Sequence, residues 1–456
     1  MRGAHADDFD IIADMEGSRI RVRFAPSPTG KVHIGNIRAA IYNWLFARHT
    51  GGKFLLRVED TDLERSTPEA IQTLLDCMEW LGLDWDEPVF YQTKNAARHL
   101  ECAERLVAEG RAYRVERESR DGKKGVVTMF RMPEKGILAF DDAVKGHLEK
   151  KAEDVQDFAI VRSDGSPIFH LANVVDDIDQ GVTHVIRGDD HVENTFKHLE
   201  LFRALGAEPP RYAHLSMIVN AQGKPYSKRD GAAFVGEFRE QGYLPEALFN
   251  YLLLLGWNPG DDREVLSRDE MVSLFDLSRV HVAAARFDPK KLAWMNGEHI
   301  KRIPSGEFAA EVRRLALEGL AEPPERTDAW WAELASHLQP RVRFLKDVAD
   351  MARPFLTRDF PFDPKAVEKR LAKPGVKALL LDLVERFAAL PEWTAVALEE
   401  TVKGLAADGG MGPWVHPVRV AVSGRGEGIG LFEMLALLGR GETLERIRAA
   451  AERYCP

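Results

Sequence analysis

The sequence predicts an α/β protein: a parallel sheet at the front, an α+β insertion that interrupts it, and helices alone through the C-terminal third. Three observations predict this. The opening runs strand, loop, helix, strand, the order that starts a parallel sheet. Sheet-like sequence returns only after a long stretch of different character, and beyond about residue 330 the chain carries helical sequence to its end.

Arg21 to Phe24 alternates basic and apolar residues and reads as the first strand, and Pro26, Pro28 and Gly30 make a tight loop after it. From Asn36 (NIRAAIYNWLFARHTG) the apolar residues keep helix period until Gly51-Gly52 stops them. Phe54 to Val58 is apolar enough for a second, buried strand. Helices follow over about Thr67 to Leu81 and Lys94 to Glu109. From Arg111 to about Ile160 the chain changes to mixed charge, RDGKKG and MPEKG turns, and short β-like pieces such as Val126 to Arg131, which marks the insertion. Thr183 to Arg187 resumes the sheet, and a helix spans Glu193 to Leu205. Pro245 to Leu255 is a strongly apolar helix, and Leu266 to about His299 alternates helical patches with turns. Residues 302 to 330, rich in Pro, Glu and Ala, suit a boundary before the helical end. No internal repeat is evident.

The composition narrows the function. With 456 residues, 45% hydrophobic and 29% charged, the chain has enough apolar sequence for several cores. A formal charge of -10 excludes a polyanion binder that works by bulk charge. Specific binding through a local basic surface stays open, since residues after position 330 carry 18 basic against 17 acidic side chains, whereas the rest carries 44 against 55. Cys77, Cys102 and Cys455 are odd in number and far apart, which excludes a disulfide framework and gives no metal-ligand pair. The polar leader has no apolar run, and apolar windows such as Leu371 to Val384 are broken well before a membrane span, so a cytoplasmic protein without membrane association is expected.

Two segments carry chemistry. The first is R23-F-A-P-S-P-T-G-K-V-H-I-G-N36, between a strand and a helix. A proline-stiffened loop ending in His33 at a helix start lets backbone N–H groups and an imidazole approach a polyphosphate. The plain alternative is an ordinary βα turn with His33 as a helix cap. The second is G223-K-P-Y-S-K-R-D-G231, a glycine-bounded loop whose Lys228 is a compact cation suited to phosphates; its alternative is a solvated basic turn.

Together these segments resemble the class I aminoacyl-tRNA synthetases, and within them the bacterial-type glutamyl enzymes. His33-Ile34-Gly35-Asn36 is similar to the His-Ile-Gly-His signature, and Ser227-Lys228-Arg229 to the end of the Lys-Met-Ser-Lys-Ser signature. The resemblance implies catalytic roles for His33, Gly35 and Lys228, and an ATP site formed by Pro26, Thr29, Gly30, His33, Gly35, Asn36, Ser227, Lys228 and Arg229. The chain departs from the second signature at Pro225 and Tyr226, which replace its first lysine and its apolar second residue.

The same resemblance implies an amino-acid pocket of Arg23, Ser27, Glu59, Phe169, Asn173 and Arg187. Arg23 and Ser27 come from the Arg-x-Ala-Pro-Ser-Pro-Thr-Gly run, and Glu59 from R57-V-E-D-T-D62, where a carboxylate suits the substrate's ammonium. Phe169 and Asn173 belong to F169-H-L-A-N173, with phenylalanine where the family usually has tyrosine. Arg187, in T183-H-V-I-R-G-D-D-H191, matches the residue that reads the glutamate side-chain carboxylate. Pro26-Ser27-Pro28-Thr29-Gly30 stands where glutaminyl relatives carry Pro-Glu-Pro-Asn-Gly, which favours glutamate as substrate.

The implied architecture is a Rossmann-like parallel-sheet catalytic domain with an α+β insertion, a helical stem region and an all-α C-terminal anticodon-binding domain. Its expected bounds are a polar extension over 1–19, the catalytic halves over 20–95 and 181–240, the insertion over 96–180, the stem region over 241–325 and the anticodon domain over 326–456. The implied reaction uses ATP and Mg²⁺ to make glutamyl-adenylate, then charges tRNA(Glu), with tRNA(Gln) left open and a monomer expected. Ala112-Tyr113 is followed by no cysteine, so no structural zinc is expected. Candidate tRNA contacts are Arg419 and Arg425 in H416-P-V-R-V-A-V-S-G-R-G-E-G, and the basic run Lys365, Lys369, Arg370, Lys373 and Lys377. Two rivals are a glutamyl transferase acting on a tRNA base, disfavoured by the long C-terminal region, and a catalytically weak tRNA-binding module.

Overall fold

The computed structural model describes residues 20–28, 30–62, 65–118, 124–320, 322, 324–406 and 410–456. The polar extension 1–19 and Thr29 lie outside the described residues. The chain divides into two compact units between Met295 and Asn296.

The first unit begins with β1 (Arg21–Phe24), α1 (Ile34–Thr50) and β2 (Lys53–Val58). Both ends of α1 follow from local chemistry: His33 caps the start through its ring nitrogen, and Gly51 ends the helix at φ 67°, a left-handed conformation that glycine adopts without steric cost. Next come α2 (Pro68–Trp80), β3 (Phe90–Tyr91) and α3 (Ala96–Ala108). Thr67 caps α2 by accepting from the Ala70 amide at 3.2 Å. The helix expected from Lys94 starts later as α3, because residues 92–95 form a tighter 3₁₀ turn. Asp60 holds that turn by accepting from the amide and hydroxyl of Thr93.

The insertion contributes β4 (Ala112–Glu118), β5 (Lys124–Phe130), β6 (Ile137–Asp142), β7 (Gly146–Lys151) and β8 (Phe158–Val161). Helix α4 (Phe169–Asp179), β9 (His184–Gly188), α5 (Val192–Ala204), β10 (Arg211–Leu215) and β11 (Ile218–Val219) follow. Then α6 (Val235–Glu240), α7 (Pro245–Leu254), α8 (Arg268–Leu274), β12 (Ala285–Arg286) and α9 (Pro289–Lys301) carry the chain to and across the unit boundary.

A seven-stranded sheet in the order β3-β2-β1-β9-β10-β6-β7 forms the centre. Strands β1, β2, β9 and β10 pair in parallel and are mostly buried, with Val22, Phe24, Phe54, Leu55, Leu56, Val185 and Ile186 almost fully covered. The chain leaves β1 in one direction to β2 and returns on its other side as β9. This reversal of strand order opens a crevice at the carboxyl ends of β1 and β9, the place where open α/β sheets bind ligands.

Only part of the insertion stands apart from that sheet. Strands β4, β5 and β8 form their own three-stranded antiparallel sheet, but the β6–β7 hairpin extends the central one through the parallel pairing of Tyr212 with Asp142. Period-two alternation marks short strands without naming their partners, so this placement could not be read from the residues.

The second unit is helical: α10 (Ser305–Leu317), α11 (Asp328–Leu338), α12 (Asp347–Leu356), α13 (Pro364–Arg370), α14 (Val376–Ala388), α15 (Ala395–Ala406), α16 (Gly412–Ser423), α17 (Leu431–Leu438) and α18 (Arg440–Tyr454). No strand occurs among its described residues. Helix α10 occupies much of the Pro-, Glu- and Ala-rich stretch 302–330, and buries Phe308, Val312 and Ala316 at helical spacing. Among the described residues no helix is long and apolar enough to cross a membrane.

Candidate active site

A cavity of about 750 Å³ opens at the carboxyl ends of the central strands. Strand β1 supplies Arg23, and the loop beyond it supplies Pro26 and Ser27. Glu59 follows β2, Phe169 and Asn173 stand on α4, and Arg187 is on β9. His33, Gly35 and Asn36 bring the start of α1 to the same wall. Phe169, Asn173 and Asp177 are four residues apart on α4, so one helical face presents all three to the sheet.

Asp177 organises the floor. Fully buried, it accepts from Arg23 Nε at 3.1 Å and Arg57 Nη1 at 2.7 Å. Burial would raise its carboxyl pKa, but the two guanidinium groups outweigh burial and hold it below the usual carboxylate range. Arg57, also fully buried, reaches Glu59 Oε1 at 3.4 Å, and Asn173 Nδ2 donates to that same oxygen at 2.7 Å. Burial pushes the Glu59 carboxyl upward, against the pull of Arg57, Arg23 and Asn173. Arg23 was expected only as a fork for a substrate carboxylate; its Nε is committed to Asp177, and its terminal nitrogens make no hydrogen bond among the described residues.

Arg187 is the contrasting cation. It is 7% exposed and no carboxylate lies within 4.0 Å of it among the described residues. Its partners are neutral: Thr195 Oγ1 at 2.7 Å, His214 Nε2 at 3.3 Å, the His191 carbonyl at 3.3 Å and the face of Tyr212 at 5.4 Å. Burial brings its pKa down to about 10. A buried guanidinium held by neutral groups at a cavity wall is suited to an anionic ligand group. Phe169 packs against the rings of His170, His191 and His198, at 5.4, 5.7 and 5.7 Å between centroids.

His33 fills both of its expected roles, as helix cap and as cavity wall. Its Nδ1 accepts from the Gly35 amide at 3.0 Å, so the neutral ring carries its proton on Nε2. Burial lowers its pKa, partly opposed by a hydrogen bond with the Tyr226 backbone, which ties the first motif to the second. The amides of Ile34, Gly35, Asn36 and Ile37 are all bonded within the protein, to Ala233 O, His33 Nδ1 and His33 O. The expected backbone cradle for phosphate at this helix start is therefore already satisfied, and any phosphate contact falls to side chains.

Gly35 leaves little room for a side chain, because an added Cβ would stand 3.2 Å from His33 Nδ1. Gly35→Ala is expected to displace the imidazole and cut activity by about tenfold or more. Alanine's higher helix propensity should keep the thermal midpoint level or raise it. Steady-state kinetics alongside thermal unfolding checks both; an equal fall in midpoint and activity would mean simple destabilisation.

The second motif is an ordered turn beside the cavity. Tyr226 is buried against Phe287 at 4.4 Å, and its amide bonds Ile218 O. Asp230 accepts from the amide and hydroxyl of Ser227 and from Asn220 Nδ2. Pro225 and Tyr226 reach the cavity wall, whereas Ser227, Lys228 and Arg229 do not. Lys228 and Arg229 are exposed. Tyr226 thus anchors the turn, and Lys228 begins its 3₁₀ segment with an exposed side chain. Gly30 sits outside the wall in a turn at φ 105°.

Sequence reasoning assigned no role to the buried groups that hold these side chains, Arg57, Asp177, Asp142, Thr195 and His214, although Arg57 and Asp177 fall in the R57-V-E-D-T-D62 and V174-V-D-D177 segments of the resemblance. The one available signal was the acidic pair Asp176-Asp177 inside an otherwise apolar helix.

In the second unit Arg419 donates to Ile429 O and Arg425 faces Asp350 at 3.7 Å, so both have intramolecular partners. Lys365, Lys369, Arg370, Lys373 and Lys377 have no ion pair within 4.0 Å among the described residues. Burial, and after it Arg370, Arg419 and Lys369, lower the pKa of His416, and α13 packs against α16. Among the described residues no group of three or more His, Cys, Asp and Glu could hold a metal ion, and the three cysteines are free and buried.

Comparison with known proteins agrees with this arrangement. Residues 19–121 and 114–294 match the family described as tRNA synthetases class I (E and Q), catalytic domain, and residues 307–451 match the anticodon binding domain. The chain is 42% identical to a glutamate–tRNA ligase of Acidithiobacillus ferrooxidans, over 95% of this chain and 99% of that protein. It is 41% identical to a ligase of the same name from Alkalilimnicola ehrlichii, over 95% and 98%. The crystal structure of a glutamate tRNA ligase from Elizabethkingia meningosepticum, in complex with its amino acid, superposes with a TM-score of 0.86 at 30% identity, covering 96% of this chain and all of that one. The chain belongs to the class I aminoacyl-tRNA synthetases, in the family of the glutamate and glutamine enzymes.

Proposed function

We propose that this protein is a glutamate–tRNA ligase, which activates L-glutamate with ATP and Mg²⁺ and transfers it to the 3'-terminal adenosine of tRNA(Glu). The observation that carries the choice of glutamate is Arg187, a buried guanidinium with no carboxylate of the described residues beside it, in a cavity that also holds the Glu59 carboxylate. An amino acid with a side-chain carboxylate complements the first and its ammonium the second; glutamine would leave Arg187 without a charged partner. His33, Gly35 and Asn36 suit the nucleotide, with Lys228 closing from the loop. Mg²⁺ accompanies the ATP phosphates, and no protein ligand is assigned to it. Catalysis rests on positioning and charge, and no side chain is assigned as general base.

The unpaired basic residues of α13 and its neighbours, Lys365, Lys369, Arg370, Lys373 and Lys377, suit the tRNA backbone better than Arg419 and Arg425, which have partners of their own. A cytoplasmic monomer is the form we expect. The test is charging of purified tRNA(Glu) and tRNA(Gln) with labelled glutamate, with glutamine as control. Charging of tRNA(Glu) alone marks a discriminating ligase, and charging of both requires a later amidation. Lys228→Ala should lower glutamyl-adenylate formation by about 10²-fold. If the wild type charges neither tRNA, the reading fails in favour of the base-modifying or binding-module alternatives.

A further inference from the structure

Behind Arg187 lies a chain of hydrogen bonds that reaches into the insertion. Asp142, the last residue of β6, is itself buried. Its Oδ1 accepts from the amides of Val144 and Lys145 at 2.9 Å each, and of His214 at 3.2 Å. Its Oδ2 meets His214 Nδ1 at 2.6 Å. Against burial, which would raise it, His214 and the amides of Lys145 and Val144 hold the Asp142 carboxyl below the usual carboxylate range, so it is ionised and His214 Nδ1 carries the proton. Burial lowers the His214 pKa despite that carboxylate, which keeps the ring neutral and leaves Nε2 as an acceptor. Arg187 Nε donates to this nitrogen at 3.3 Å, while Thr195 Oγ1 takes Arg187 Nη2 at 2.7 Å and stands 3.1 Å from the same nitrogen. Arg187 donates and Asp142 accepts at the two ends of the chain, the Thr195 hydroxyl can donate to His214 Nε2 or to the His191 carbonyl at 3.2 Å, and each link comes from a different element: β6, β10, α5 and β9.

We propose that Asp142 and His214 are positioning residues for amino-acid recognition: Asp142 selects the His214 tautomer whose lone pair holds Arg187 in the cavity wall. The inference rests on the glutamate reading of Arg187. It gives the β6–β7 hairpin a role in the pocket, because the pairing that adds β6 to the central sheet also brings Asp142 to His214. The carboxylate touches neither cavity nor substrate. It acts two bonds away, through an imidazole whose opposite nitrogen it sets.

Asp142→Asn tests this with almost no change of shape. The amide oxygen can still take the three backbone N–H groups, but the amide nitrogen now donates to His214 Nδ1. The ring must then carry its proton on Nε2, facing Arg187 Nε–H with a second donor. The expected result in tRNA charging assays is a rise of about tenfold in KM for glutamate, with KM for ATP unchanged. In a His214→Ala background the Asp142→Asn change should add nothing, since it has no imidazole to act through. Equal rises in both KM values, or additive effects of the two substitutions, would overturn the proposal. If His214→Ala does not fold, the split between the two KM values in Asp142→Asn decides by itself. Wild-type protein that does not charge tRNA with glutamate overturns the underlying reading and this inference with it; charging with an unaltered glutamate KM in Asp142→Asn overturns the inference alone.

Discussion

Replacing Arg187 by Met is expected to lower kcat/KM for glutamate by roughly 10²- to 10³-fold while leaving the thermal midpoint level or raised. The two effects have one origin. Arg187 is buried with no carboxylate of the described residues within 4.0 Å, and burial alone accounts for most of its lowered pKa. In the protein without substrate, that desolvated cation costs stability. Methionine of similar length relieves that cost, and the relief offsets the three hydrogen bonds to neutral partners that it gives up. Once a carboxylate binds, the balance reverses, because the charged pair forms in a site already stripped of water. Aminoacylation kinetics and calorimetry on the same preparation separate the two. A midpoint lowered by many degrees would mean that Arg187 is a structural member of the fold.

Asp177→Asn should do the opposite, destabilising the first unit by about 3–5 kcal/mol. The substitution is isosteric, so the cost is electrostatic. Arg23 and Arg57 would be left buried with a neutral amide in place of the carboxylate they share. The pH dependence follows with a definite sign. The folded-state pKa of Asp177 lies below its ordinary value, so its contribution is complete above the unfolded-state pKa near about 4 and is lost as pH falls through the folded value. Wild-type stability should therefore decline in that acid window, and the variant should show a smaller decline there. Urea titrations between neutral pH and about pH 3 measure both curves. Parallel curves would remove Asp177 from this role. Activity in the variant should also fall, since Arg23 loses the carboxylate that aims it.

The legible part of this protein is local. The start and stop of α1 were readable because His33 and Gly51 are chemical punctuation, and α7 because Pro245 begins it. The strands that carry or lead to Arg23, Glu59 and Arg187 were readable too, because a buried parallel strand is a short apolar run. Resemblance of short segments to a known family then attached a chemistry to those charges.

What the residues could not disclose are the partnerships between distant segments. Asp177 meets Arg23 from 154 residues away and Arg57 from 120, and His214 meets Asp142 from 72. Hydrophobic period reports which face of an element is covered and carries no information on which element covers it. So the residues alone established the α/β front and the helical C-terminal region, and the family resemblance added the reactive side chains at the strand ends. Tertiary structure alone decided that β6 joins the central sheet, that the amides at the start of α1 are already bonded, and that of two neighbouring buried arginines one is neutralised by Asp177 while the other faces the cavity without a carboxylate. The reason is physical: the pKa and the binding preference of a charged group are set by desolvation and by partners within a few ångströms, and only the folded chain supplies either.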